Sequence, residues 1–274
     1  MGVGKGEAST QKEPALQGKT AGRKTLYVVL PVLLTIVQAV VVWISEPIYV
    51  RDPHLGSRLT HTILVVLAFL GIIASKLSLA EAGIISPNPR YSLYWGLYLS
   101  MSVCVPALAF VSILNASGLV SLETSRLNVY ILADALVINF VSNALCEELF
   151  FMGYVLGSLN RAIGHDASPI VSGIIFGAVH LVRYANPLTG KYSLDAGAVV
   201  WVLISCFVGI YFGLLRRKCG DIYCPTLFHG SQDFTMNVMS ILKCPENAII
   251  MAMGVGWVIF LTITYRQFKK SKVH

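Results

Sequence analysis

Along this chain, apolar stretches of roughly 20 residues alternate with short polar breaks, and the alternation runs from residue 25 almost to the C-terminal end. A helix rises about 1.5 Å per residue, so such stretches match the ~30 Å hydrocarbon core of a bilayer. The pattern predicts helical spans at 25–44, 59–79, 92–113, 128–157, 168–182, 197–215, 225–242 and 247–265, the fifth short and the seventh unusually polar. Residues 1–24 are polar and lack aromatic side chains, which predicts a disordered tail. Breaks such as 80–91, with Pro87 and Pro89, leave no room for a second folded unit, and neither an internal repeat nor a heptad pattern is present. The expected architecture is all-α: one polytopic membrane bundle of about eight helices over residues 25–265, followed by a basic tail at 266–274.

Composition agrees and removes other classes. With 55% hydrophobic and only 13% charged residues and a mean hydropathy of +0.68, the chain is too apolar for a soluble domain. Recurrence of the apolar runs excludes a secreted protein with one cleavable signal. The net charge of +7 does not point to nucleic acid, because the basic residues fall between the spans, where they set orientation. Placing both termini in the cytosol puts 15 of the 21 Lys and Arg residues on that side, so cytosolic termini are expected. The six cysteines build no disulfide framework, and the Cys219/Cys224 spacing is unlike a zinc ribbon, so they read as ordinary thiols.

Charged side chains inside a bilayer are costly, and those present are functional candidates. Asp134, the pair Glu147-Glu148, His180, and His229 with Asp233 all fall within predicted spans; Asp134, nearer the outer side, is assigned a structural role. Asn139, Asn143 and Glu147 recur at four-residue spacing and share one helical face. Glu148 should point about 100° away from Glu147 and need its own partner. Measured from the polar turn at Gly164, Glu147 lies 17 residues before and His180 16 after, so neighbouring antiparallel helices would bring them level. His229 and Asp233 are one turn apart on the seventh span, just after Pro225.

Such a set can hydrolyse an amide. A glutamate in a low-dielectric site suits a general base that takes a proton from water, and a histidine can hold the same water. A second histidine, oriented by Asp233, can donate a hydrogen bond to the oxyanion. Two readings from other classes stay open: a proton-coupled transporter using the same buried acids and histidines, and a non-catalytic membrane binding or scaffold protein.

Three segments resemble motifs of the CPBP family of membrane proteases, which contains the type II CAAX prenyl endopeptidases and the bacterial Abi-type proteins. Glu147-Glu148-Leu149-Phe150-Phe151-Met152-Gly153 is similar to the family's EExxxR followed by glycine. Phe176-Gly177-Ala178-Val179-His180 is similar to FxxxH, and His229 to Asp233 to HxxxN or HxxxD. The resemblance covers roughly 125–245. It implies that Glu147 and His180 activate water, that His229 and Asp233 form the oxyanion side, and that Glu148 supports the site by pairing with the motif arginine. It implies no cofactor under the glutamate mechanism favoured here; zinc on Glu147, His180 and His229 is the lesser alternative.

Met152 stands where the family has arginine, which leaves Glu148 without its expected partner and suits the scaffold reading; Arg183 and Arg161 are the candidate replacements. The expected substrate is a membrane-associated or lipidated protein or peptide cut near the cytosolic face. The wording of the first motif points to a prokaryotic plasma membrane.

Overall fold

The computed structural model describes residues 13–271. Its principal elements are α1 (Glu13–Arg51), α2 (Pro53–Ala74), α3 (Pro89–Ala116), α4 (Val129–Ile163), α5 (Ser168–Val179, extended by a 3-10 turn His180–Arg183), α6 (Ala196–Cys219), α7 (Tyr223–Ile241) and α8 (Glu246–Ser271). A two-residue antiparallel hairpin, Ala185–Asn186 with Lys191–Tyr192, comes after the 3-10 turn. The tail expected at 1–24 falls mostly outside the described residues or within α1, whose first residue is Glu13. Likewise α8 continues through the expected basic tail as far as Ser271.

Each predicted span coincides with a helical segment. Five are long and apolar enough to cross a membrane: Gly22–Arg51, Leu55–Ala74, Pro89–Ala116, Val129–Ile163 and Ala196–Cys219. Ser168–Arg183 and Glu246–Thr262 are apolar but shorter, and α7 carries Thr226, His229, Gln232 and Asp233 along its length. The protein is an all-α, polytopic membrane protein.

Helix starts obey local chemistry. Asp52, Asn88, Asn128 and Asp195 each accept a hydrogen bond from a backbone amide in the first turn of the next helix, and Pro53 and Pro89 open α2 and α3. Asp221 serves α7 in the same way, accepting from the Tyr223 amide (3.1 Å) and also from the Ser86 and Ser92 hydroxyls. This bond ties α7, which carries two site residues, to the start of α3.

Small residues set the closest helix approach. A Cβ on Gly173 would lie 2.2 Å from the Ile210 amide nitrogen, and one on Gly177 2.2 Å from Cys206 Sγ. Only glycine lets α5 press against α6 at this distance, and the approach fixes the height of His180 at the end of α5.

The connection from α2 to α3 is clamped by Arg161 at the end of α4. Its guanidinium donates to both Glu81 oxygens (2.9 and 2.7 Å), to the carbonyls of Ser75 and Lys76, and to the Tyr27 hydroxyl. Burial alone would raise the Glu81 carboxyl, but the Ser78 amide and Arg161 outweigh it and hold the group below its ordinary 4.5. A lowered folded-state value contributes stability that is present above the ordinary carboxylate range and is lost as pH falls through the lowered value. Thermal unfolding in detergent should therefore show Glu81→Gln less stable than wild type at pH 7, with the difference closing toward pH 3. A difference that persists undiminished in acid would remove the carboxylate from the clamp.

At the same end of the bundle, Tyr91, Tyr94, Trp95 and Tyr98 form an edge-to-face and stacked aromatic group, with Lys218 Nζ 4.0 Å from the Trp95 ring centre. Tyrosine, tryptophan and lysine concentrated at one level mark a membrane–water interface.

Candidate active site

The centre of α4 departs from regular α-helix on both sides of the paired glutamates. Ile138–Leu145 and Leu149–Val155 are π-helical, and only Cys146–Glu148 between them keeps α geometry. A π turn takes an extra residue into the same rise and so rotates the succeeding residues around the axis. Because the glutamates themselves lie in α geometry they still project about 100° apart, and both meet α7 because the His229 ring sits between them.

The two carboxylates hold opposite edges of one ring. His229 Nδ1 donates to Glu148 Oε1 at 2.9 Å, while His229 Nε2 lies 3.9 Å from Glu147 Oε2 and 3.5 Å from Asp233 Oδ2. Glu148 is fully buried, and its Oε2 has no hydrogen-bond partner among the described residues. The Phe212 ring stacks on the imidazole with centroids 4.9 Å apart, and the Phe176 edge meets it at 6.0 Å. Because a carboxylate only accepts, Glu148 fixes the proton of His229 on Nδ1 and aims Nε2 at Glu147 and Asp233.

This geometry revises several expectations. The partner of Glu148 is His229 rather than an arginine: Met152 is fully buried, Arg161 is committed to Glu81, and Arg183 is exposed and makes no ion pair among the described residues. Orientation of His229 through Nδ1 falls to Glu148, while Asp233 faces Nε2. Asp134 is exposed on α4, away from this cluster.

His180 stands one ring further off. Its Nδ1 donates to the Phe176 carbonyl at 2.9 Å, its ring packs on Phe176 at 5.0 Å, and it makes no hydrogen bond or ion pair with Glu147. Phe176, the first residue of the FxxxH motif, therefore touches both histidines. The side chain that does meet Glu147 Oε1 is His61 on α2, with Nε2 at 3.4 Å. Sequence reasoning passed over this residue. Its signal was a Thr-His-Thr triplet at the start of the second predicted span, and the rule that marks intramembrane ionisable residues would have selected it.

All six cysteines are free thiols. Among the described residues, no group of three or more His, Cys, Asp or Glu side chains is arranged to hold a metal ion. For the zinc alternative, His180 would have to move toward Glu147 and His229.

Fold and site together define a polytopic membrane protein whose charged centre is built from two adjacent glutamates on one helix and histidines on three others. Residues 129–235 match the family model described as type II CAAX prenyl endopeptidase Rce1-like, a family of proteases. The matched segment runs from the start of α4 into α7 and contains Glu147, Glu148, His180, His229 and Asp233, so the family resemblance of the three motifs is borne out over the same stretch. Helices α1–α3, and with them His61, lie outside it. No curated protein and no solved structure matches the chain.

Proposed function

We propose that the protein is an intramembrane endopeptidase that cuts a membrane-associated or lipidated protein or peptide by glutamate-activated water. The observation that supports this most is the convergence of Glu147, Glu148, His229 and Asp233 from two helices, with all three carboxylates within 3.9 Å of a His229 ring nitrogen.

In this reading Glu147 Oε2 takes a proton from water while the water oxygen bonds to the scissile carbonyl carbon. His180 Nε2, left free because Nδ1 is engaged by the Phe176 carbonyl, holds that water. His229, held through Nδ1–H by Glu148 and carrying a second hydrogen on Nε2 beside the Asp233 carboxylate, acts as an imidazolium and donates Nε2–H to the oxyanion. The proton on Glu147 then passes to the leaving nitrogen as the C–N bond breaks, returning the carboxylate. Asp233 is 3.5 Å from Nε2 and keeps that edge of the imidazole facing the reacting carbonyl. No bound cofactor is required by these steps.

The basic end of the bundle, with its aromatic group and the Arg216-Arg217-Lys218 run, supports cytosolic termini and entry of substrate from that face. The prokaryotic plasma membrane remains our reading of its location. The test is reconstitution in liposomes with an internally quenched farnesyl peptide ending in a CAAX-type sequence, beside its unprenylated form on a lipid anchor. Release of a C-terminal fragment with a single internal cut by mass spectrometry is expected from at least one; absence of cleavage of both would contradict the assignment.

A further inference from the structure

His61 belongs to none of the three motifs and lies on α2, 68 residues before the start of the matched segment at Val129. Its surroundings nevertheless fix its protonation pattern. Nδ1 is 2.7 Å from the Ser57 carbonyl oxygen. A backbone carbonyl only accepts, so Nδ1 carries a hydrogen. The other nitrogen, Nε2, faces Glu147 Oε1 at 3.4 Å. Were both His61 neutral and Glu147 ionised, a lone pair would face a carboxylate oxygen across this distance. The contact is attractive only with one proton between the two groups.

The neighbourhood holds this arrangement in place. The Ser57 hydroxyl donates to Asn143 Oδ1 (3.4 Å), linking the second turn of α2 to the π-helical stretch of α4 one turn before Glu147. Thr60 is bonded back into its own helix and leaves the His61 edge clear. Side chains of His61 and Glu147 are comparably shielded, at 17% and 19% exposure, so the pair is neither at the surface nor sealed in the core. On the far side of the carboxylate, the 3.9 Å from Glu147 Oε2 to His229 Nε2 is too long for a hydrogen bond, which leaves that oxygen with an unclaimed lone pair.

We infer that His61 is a positioning residue for Glu147: by sharing one proton with Oε1 it fixes the carboxylate plane and reserves Oε2 for the reacting molecule. The inference rests on the protease reading for its catalytic consequence, though not for the contact itself. It extends the working site to α2, so that the segment matching the protease family is incomplete without the N-terminal helices.

Two readouts separate the contact from the chemistry. In the liposome assay, His61→Ala should lower kcat by about ten- to a hundredfold with KM within about twofold, because the substrate is still bound while the base is misplaced. His61→Gln, whose side-chain amide can still donate to Oε1, should recover a substantial part of kcat and also guards against misfolding of the alanine variant. In nanodiscs with ring-15N histidine, the His61 Nε2 signal, assigned by its loss in His61→Gln, should move from the protonated to the unprotonated range in Glu147→Gln while Nδ1 stays. An unmoved Nε2 signal overturns the inference whatever the activity, as does a His61→Ala enzyme with kcat within twofold of wild type. If nothing cleaves the reporter but the Nε2 signal moves, the positioning contact stands and the protease reading falls.

Discussion

Glu147→Gln lowers cleavage of the liposome reporter by about 100- to 10,000-fold, the range over which a positioned general base contributes, and leaves thermal unfolding in detergent nearly unchanged. The size reflects a chemical deficit of glutamine. It keeps the volume of the side chain and can still meet His61, but its amide takes no proton from water. Glu147 is partly exposed where Glu148 is sealed in the core, and it keeps an oxygen for water: Oε1 faces His61 at 3.4 Å and Oε2 lies 3.9 Å from His229. Glu148 is bonded to His229 and fully buried, so it cannot take over the role. A Glu147→Gln protein that retains a tenth or more of the wild-type rate would move the base elsewhere.

The second large effect is graded. His229→Ala should cost about 100- to 1,000-fold in kcat, as expected for loss of an oxyanion donor. Glu148→Gln should cost about tenfold or more, because the shape is retained and the charge that holds Nδ1–H is lost. Asp233→Asn should stay within about threefold, since its carboxylate is only 3.5 Å from Nε2 and asparagine can still contact that nitrogen. Equal losses in His229→Ala and Asp233→Asn would sink this division. The order Glu148 before Asp233 is the sharper part, because the motif resemblance alone pairs His229 with Asp233.

Much of the fold was legible because it depends on residue type along the chain. Apolar runs placed helices α1–α8 of the described residues, and the Asp, Asn and Pro residues at several of their starts are local signals. The span that is least apolar, α7, is so because it carries His229, Gln232 and Asp233; the chemistry of the site is what weakened its membrane signal. Of the chemically marked positions, the Glu147-Glu148 pair, His229 and Asp233 do converge.

The illegible part depends on backbone register and on pairing across long stretches of chain. Nothing in Ile138–Leu145 or Leu149–Val155 announces a π helix, and nothing along α4 announces that one ring of α7 sits between the two glutamates. Helical angles alone sent Glu148 toward a separate partner. The matching of Arg161 to Glu81, 80 residues apart, likewise removed it from the search for a replacement of the missing arginine. His61 reaches Glu147 across 86 residues, and only the parallel packing of α2 on α4 puts the two together. Height arithmetic brought His180 to the right layer, where its Nδ1 is turned back to the Phe176 carbonyl instead of toward Glu147.

The most direct test of glutamate-dependent proteolysis is a comparison of protein termini in host membranes from cells carrying the wild type, a deletion, or Glu147→Gln at equal expression. New termini present only with the wild type are the result predicted here, and they would also identify the substrate. Matching profiles for wild type and Glu147→Gln, both different from the deletion, would contradict it.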